Sequence, residues 1–206
     1  MTGKTHVSVA MASTLLLTQP QSIKELVLCL GVTSVGAVIS DIDVSTSESH
    51  EAIDKILGII LIAAIALGFA EYKWHVGIIE SFKNNSNIIR LVAGIAVVLG
   101  ICIFGKNQPH RSFMHSALAV ALLSVATYTI LPDAVPYMII SMSSHILIDT
   151  FNKKKVHIFY PLPGGVGLNL CHAEGFVNNT IFKVASLLTI VNLIYFTGKI
   201  GIRFLG

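Results

Sequence analysis

The feature that most constrains this chain is a succession of stretches without Asp, Glu, Lys or Arg: residues 26–40, 56–70, 91–105, 112–132, 134–148 and 184–198. A weaker seventh, 7–18, ends at the breaker Gln19-Pro20-Gln21. Most are about 15 residues, short of the ~20 that cross a bilayer as a helix. Flanking Glu25, Lys55, Arg90 and Lys199 can snorkel and extend them. Uncharged runs of this length, so extended, read as membrane helices, some of them half-buried rather than fully spanning. The expected fold is therefore all-α: a polytopic bundle of six to seven transmembrane or half-buried helices, forming one integral membrane domain over 1–206.

Composition agrees. The chain is 53% hydrophobic and only 12% charged, about half the charge of a soluble domain. That is too apolar for a disordered chain and too poor in charge to cover a soluble enzyme. A net charge of +3, with no basic stripe interleaved with aromatics, argues against a nucleic-acid partner. Cys29, Cys102 and Cys171 are far apart and odd in number, so neither a disulfide framework nor a zinc knuckle is expected. Cys29 and Cys102 sit in apolar runs as small core residues. Lys4 before an apolar run, with Met11-Ala12-Ser13 beyond it, has some character of a signal peptide, but the run continues past that point. Gly3-Lys4-Thr5 lacks the first glycine and the strand of a phosphate loop. Asn178-Asn179-Thr180 is a glycosylation triplet in what reads as a long connection, 151–183.

Alternating helix directions assign every ionisable residue to a side. His6 begins the first helix. Asp41 and Asp43 follow the second. His110 and His115 begin the fifth, and His145 and Asp149 end the sixth. All seven fall on the side of the first helix's beginning. Lysines and arginines number eight on that side (Lys4, Lys55, Lys106, Arg111, Lys153, Lys154, Lys155, Lys183) and six on the other, which weakly favours it as cytoplasmic.

Local spacings suit metal binding. His145 and Asp149, at i and i+4, share a helix face. Asp41-Ile42-Asp43 sets two carboxylates on one side of an extended segment, or in a turn around a cation. His110 and His115 are about 140° apart on an ideal helix. Pro109 therefore suggests that His110 lies in the lead-in and His115 on the first turn. Charges in a bilayer normally face a cavity, a partner or an ion, and a metal would neutralise the acids and bind neutral imidazoles. Seven N/O donors suffice for one or two divalent ions, and zinc, manganese and iron all remain open. The plainer alternatives are interfacial histidines, Asp41 and Asp43 as helix caps, and His115 with Ser116 as a polar helix contact. His50, His75 and His157 read as loop residues, with His172 and Glu174 as reserve ligands.

The set His6, then Ser40-Asp41-Ile42-Asp43, His110-Arg111-Ser112-Phe113-Met114-His115-Ser116 and Ser144-His145-Ile146-Leu147-Ile148-Asp149 resembles the YdjM-like bacterial inner-membrane proteins, a family described as membrane-bound metal-dependent hydrolases. The resemblance covers nearly the whole chain, and His-Arg-x-x-x-His-Ser is its most specific part. It implies a multi-pass protein of the bacterial inner membrane with a metal-assisted hydrolase site. Two departures stand out. Ser40 replaces the usual Pro before the first Asp, and Lys153, Lys154 and Lys155 replace a Gly expected after His-x-x-x-Asp.

The expected mechanism is hydrolysis by metal-activated water at the membrane surface, with a phospholipid or phosphorylated lipid as substrate by analogy. His6, Asp41, Asp43, His110, His115, His145 and Asp149 would hold the metal, Asp43 or Asp149 would act as base, and Arg111 would clamp phosphoryl charge or else snorkel to headgroups. The lysine triplet would draw anionic headgroups. The alternative is a metal-binding transporter or sensor without hydrolysis. Transport favours ligands near the midplane, whereas these sit at helix ends.

Overall fold

The computed structural model describes residues 1–45, 47, 51, 54–56, 59, 62, 69, 72–73, 86–172 and 175–205. Most of the expected third helix, 56–70, lies outside them, as do His50, Trp74, His75 and Glu174. The fold is all-helical. The described residues contain α1 (Gly3–Thr18), α2 (Ile23–Ile39), α3 (Ser86–Lys106), α4 (Ala117–Ile130), α5 (Val135–Asp149) and α6 (Phe176–Leu205), with 3-10 turns at Ser40–Asp43, Phe113–His115 and Pro132–Ala134.

Local chemistry sets the boundaries. Gln19 ends α1 in the left-handed region just before Pro20. Ser22 opens α2 by accepting from Glu25 N, and the Glu25 carboxylate reaches back to Gln21 N at 2.8 Å, a variant of the capping box. Ser116 opens α4 in the same way, accepting from Ala119 N. His115 therefore lies one turn of 3-10 helix before α4, not on its first α-turn.

Among the described residues, three helices are long and apolar enough to cross a membrane: Ile23–Asp43, Ser86–Lys106 and Phe176–Arg203. α1, α4 and α5, at 16, 14 and 15 residues, fall short of that length. They pack against the longer helices and against one another: α1 on α2, α5 and α6, α2 on α5, and α4 on α3 and α5. α6 begins eight residues before the uncharged run that announced it, so Lys183 and the 178–180 triplet are helical. Asn178 is buried, where a glycan has no room.

Two apolar clusters hold the helices. Ile39, Ile42, Cys102, Phe113, Met114, Leu123 and Met142 join α2, α3, α4 and α5 beneath the turns that carry the acids and histidines. Leu15, Leu26, Cys29, Tyr137 and Phe196 join α1, α2, α5 and α6. The α2–α5 approach requires a glycine: a Cβ at Gly36 would lie 1.9 Å from Ser141 Oγ. Close backbone approach through small residues is the usual way for membrane helices to associate. Here it brings the ends of α2 and α5 together.

Candidate metal centre

Four chain segments end at one pole of the bundle. His6 stands on the first turns of α1 and Asp41 and Asp43 on the 3-10 turn after α2. His110 and His115 stand before α4, and His145 and Asp149 on the last turns of α5. Donor atoms of these seven residues form three overlapping sets, each within 4.8 Å: His6, His145 and Asp149; Asp41, His115 and His145; Asp43, His110 and His115. Shared His145 and His115 link the sets into one string. The His6 and His145 rings stack at 3.7 Å between centroids, and the His115 ring is 5.2 Å from that of His145.

The string is built around carboxylates. Asp149 Oδ1 accepts from Asn152 Nδ2 at 2.9 Å and from Arg111 Nη2 at 3.3 Å, and lies 3.3 Å from His6 Nε2. Asp149 Oδ2 faces His115 Nε2 at 3.3 Å. Asp43 is engaged on both oxygens, by His110 Nδ1 at 2.9 Å and by the Arg111 backbone N–H at 3.1 Å. That second bond uses a left-handed Arg111, φ 68°, a conformation unusual away from glycine. Asp41 Oδ1 faces His115 Nε2 and His145 Nε2 at 3.6 and 3.5 Å. The side chains of His110 and Asp41 are 33% and 26% exposed, and those of the other five are essentially buried. The centre therefore opens past Asp41 and His110.

Among the described residues, four imidazole nitrogens in this buried string have no hydrogen-bond partner: His6 Nδ1, both nitrogens of His115, and His145 Nε2. An unsatisfied buried polar atom costs roughly 1–3 kcal/mol. Three of the four stand 3.3–3.5 Å from a carboxylate oxygen without a bonding geometry: His115 Nε2 from Asp149, His115 Nδ1 from Asp43 and His145 Nε2 from Asp41. Orientation is nevertheless specified. His145 Nδ1 donates to the Ala37 carbonyl at 2.6 Å, which leaves the lone pair of Nε2 aimed at the acids. Such backbone-held imidazoles are how proteins preset a metal ligand. The charge balance points the same way. Burial works against a charged His115, but the carboxylates of Asp149, Asp41 and Asp43 outweigh it and hold its pKa well above the ordinary value. Three carboxylates among unpartnered imidazoles are a donor set that suits a cation, and these His/Asp groups could hold a metal ion.

All seven residues singled out by sequence are thus neighbours. Arg111 is buried, with Nη1 donating to the Lys154 carbonyl at 2.6 Å and Nη2 to Asp149, so it does not snorkel. His172, one of the reserve ligands, is exposed and joins none of the three sets. His157 lies outside them too, its backbone N–H donating to the Arg111 carbonyl. Three contributors were missed. Asn152 fixes Asp149 and is itself bonded by the Cys171 thiol. Asn178 on α6 accepts from Thr2 N and from Thr5 Oγ1, one residue before His6, and so docks the start of α1. The third is the Ala37 carbonyl. Asn152 follows His145-x-x-x-Asp149 at i+3 from the acid, a spacing that could have flagged it; a distant amide and a main-chain carbonyl leave no such trace.

No curated protein and no solved structure is significantly similar to the chain. A protein-family comparison does match, over residues 1–203, to the family described as YdjM inner membrane protein. That match spans every element that carries the centre, from His6 on α1 to Asn178 on α6, and the chain belongs to the YdjM inner membrane protein family.

Proposed function

We propose that the protein is a metal-dependent hydrolase of the inner membrane acting on a phospholipid or another phosphorylated lipid. The observation that carries this reading is the buried string of unpartnered imidazole nitrogens facing three carboxylates. The seven donors are enough for one or two ions of zinc, manganese or iron. Such an ion, when bound, supplies Lewis acidity and lowers the pKa of water toward ~7.

The chain's own residues do the rest. His6, His115 and His145 would bind the ion through neutral nitrogens, His115 giving up the proton that the carboxylates otherwise hold on it, with His145 preset by Ala37. Asp149 suits the role of base better than Asp43, because both Asp43 oxygens are engaged while Asp149 Oδ2 faces only the His115 ring. Arg111 holds Asp149 in place and puts a fixed positive charge beside the centre, where an anionic phosphoester would gain charge-assisted hydrogen bonds. A lipid fits the surroundings. An apolar groove of about 380 Å³ between α4 and α5 is lined by Ala117, Ala121, Leu147, Thr150 and Ile158. Ala117 and Thr150 are close in sequence to His115 and Asp149, so an acyl chain in the groove would bring its headgroup toward the centre.

The test has two arms on purified, lipid-reconstituted protein. Metal analysis is expected to find stoichiometric metal that is lost in both His115→Ala and Asp149→Ala. A panel of lipid phosphoesters is expected to yield a product that the same variants no longer form. Metal uptake into vesicles without turnover would make the protein a transporter instead, and absence of metal would end the metal reading altogether.

A further inference from the structure

Between α5 and α6 the chain makes an arm that the metal reading does not use. Lys153, Lys154 and Lys155 are exposed along its outgoing side. Val156 pairs with Val166 through two backbone hydrogen bonds, 2.8 and 2.9 Å, and Gly165 and Gly167 let the returning side lie directly against Lys155. The turn and the returning side are apolar yet uncovered: Phe159, Leu162, Val166, Leu168 and Leu170 are 41–69% exposed. A cationic edge and an apolar edge are therefore held in one ordered unit. Backbone bonds tie that unit to the centre: Ala117 N to the Ile158 carbonyl, His157 N to the Arg111 carbonyl, Leu168 N to the Thr150 carbonyl and Leu170 N to the Phe151 carbonyl.

We infer that this 153–170 arm is an interfacial anchor, bedding its apolar edge at the boundary of headgroups and acyl chains in an anionic leaflet. Its place in the fold sets its depth. It leaves from the end of α5 at Asp149 and returns to the start of α6 at Phe176, the pole at which the long apolar helices ending at Asp43 and starting at Phe176 emerge. Apolar side chains exposed at that level meet lipid before they meet water, and amphipathic segments with lysines beside an apolar edge bind such boundaries. The three lysines select an anionic surface, where each cation near the headgroups adds to attraction. The opening past Asp41 and His110 is then held at headgroup height.

The measurement is fluorescence depth. Trp74 is the single tryptophan, so a Trp74→Phe background with Leu168→Trp, and separately Leu162→Trp, reports the arm alone at two exposed positions. In vesicles of phosphatidylglycerol and phosphatidylcholine, both reporters are expected to emit blue-shifted light and to lose about half their intensity to acyl-brominated lipid. Replacing the lysines (Lys153→Gln, Lys154→Gln, Lys155→Gln) or omitting phosphatidylglycerol is expected to reduce that loss roughly twofold. Water-like emission with no loss at either position overturns the inference. So does shielding that disappears when the protein is diluted in lipid, which would mark the edge as a contact between copies of the chain. Equal quenching with and without anionic charge overturns the selection of an anionic leaflet. None of these signals needs metal or turnover, so failure here and failure of the hydrolase reading are separable.

Discussion

The two poles of the bundle use the same kinds of residue in opposite ways. Where α2 and α5 begin, Lys24 and Asp133 pair at 3.4 Å with both side chains mostly exposed, and Glu25 closes the cap of α2 with Ser22 and Gln21. Arg203 donates to Gln21 at 3.1 Å in the open. Every one of these charges has an ordinary partner. Where α2 and α5 end, Asp43 and Asp149 are buried among imidazoles, four of whose nitrogens have no hydrogen-bond partner among the described residues. A charged residue at a helix end is therefore not by itself a sign of chemistry. What separates the poles is burial without satisfaction, an arrangement that costs free energy unless something outside the chain completes it.

The sharpest way to break the comparison is to remove a shared donor. His115→Ala takes a member from two of the three sets. It is expected to abolish metal binding, read by metal analysis, and with it any hydrolysis, whereas Asp133→Ala at the other pole should leave both intact. If both variants retain metal, the poles do not differ in kind. Asn152→Ala should weaken metal affinity by about 10–100-fold, measured by chelator competition, because Asp149 loses the amide that orients it. Lowering the pH should strip the metal, since imidazole nitrogens must be neutral to bind it. Occupancy is expected to fall as the pH drops, with no parallel loss of helix by circular dichroism. Gly36→Val should cost about 1–3 kcal/mol through overpacking against Ser141, and the Ala37–His145 bond should weaken with it, read as joint loss of stability and metal affinity. Ser22→Ala should cost only about 1 kcal/mol and leave metal affinity unchanged, which sharpens the contrast between a cap and a centre.

Much of this was legible from the residues. The uncharged runs announce helices because an unbroken apolar run of about 15 residues suits a helix, whose backbone bonds are all internal, and alternating directions place His6, Asp41, Asp43, His110, His115, His145 and Asp149 on one side before any contact is known. Local detail was less legible. α6 starts at Phe176 because uncharged runs mark where charge is absent, and a helix can carry Lys183 and a buried Asn178 on its way out of the apolar zone. His115 sits on a 3-10 turn because Ser116 takes the cap of α4, a competition between neighbours that spacing does not reveal. Arg111 reads equally well as a snorkelling side chain or an inward one until the Asp149 carboxylate and the Lys154 carbonyl are seen to receive it.

Sequence alone determined the helical, apolar class of the molecule and the side on which its histidines and aspartates gather, because hydrophobicity and chain alternation act locally and additively. Only the tertiary structure decided which donors touch, which nitrogens are left over, and that Ala37, Asn152 and Asn178 hold the others in place. Those depend on close approaches such as Gly36 against Ser141, and a distance of a few ångströms between separate helices is a property of packing that no single segment encodes.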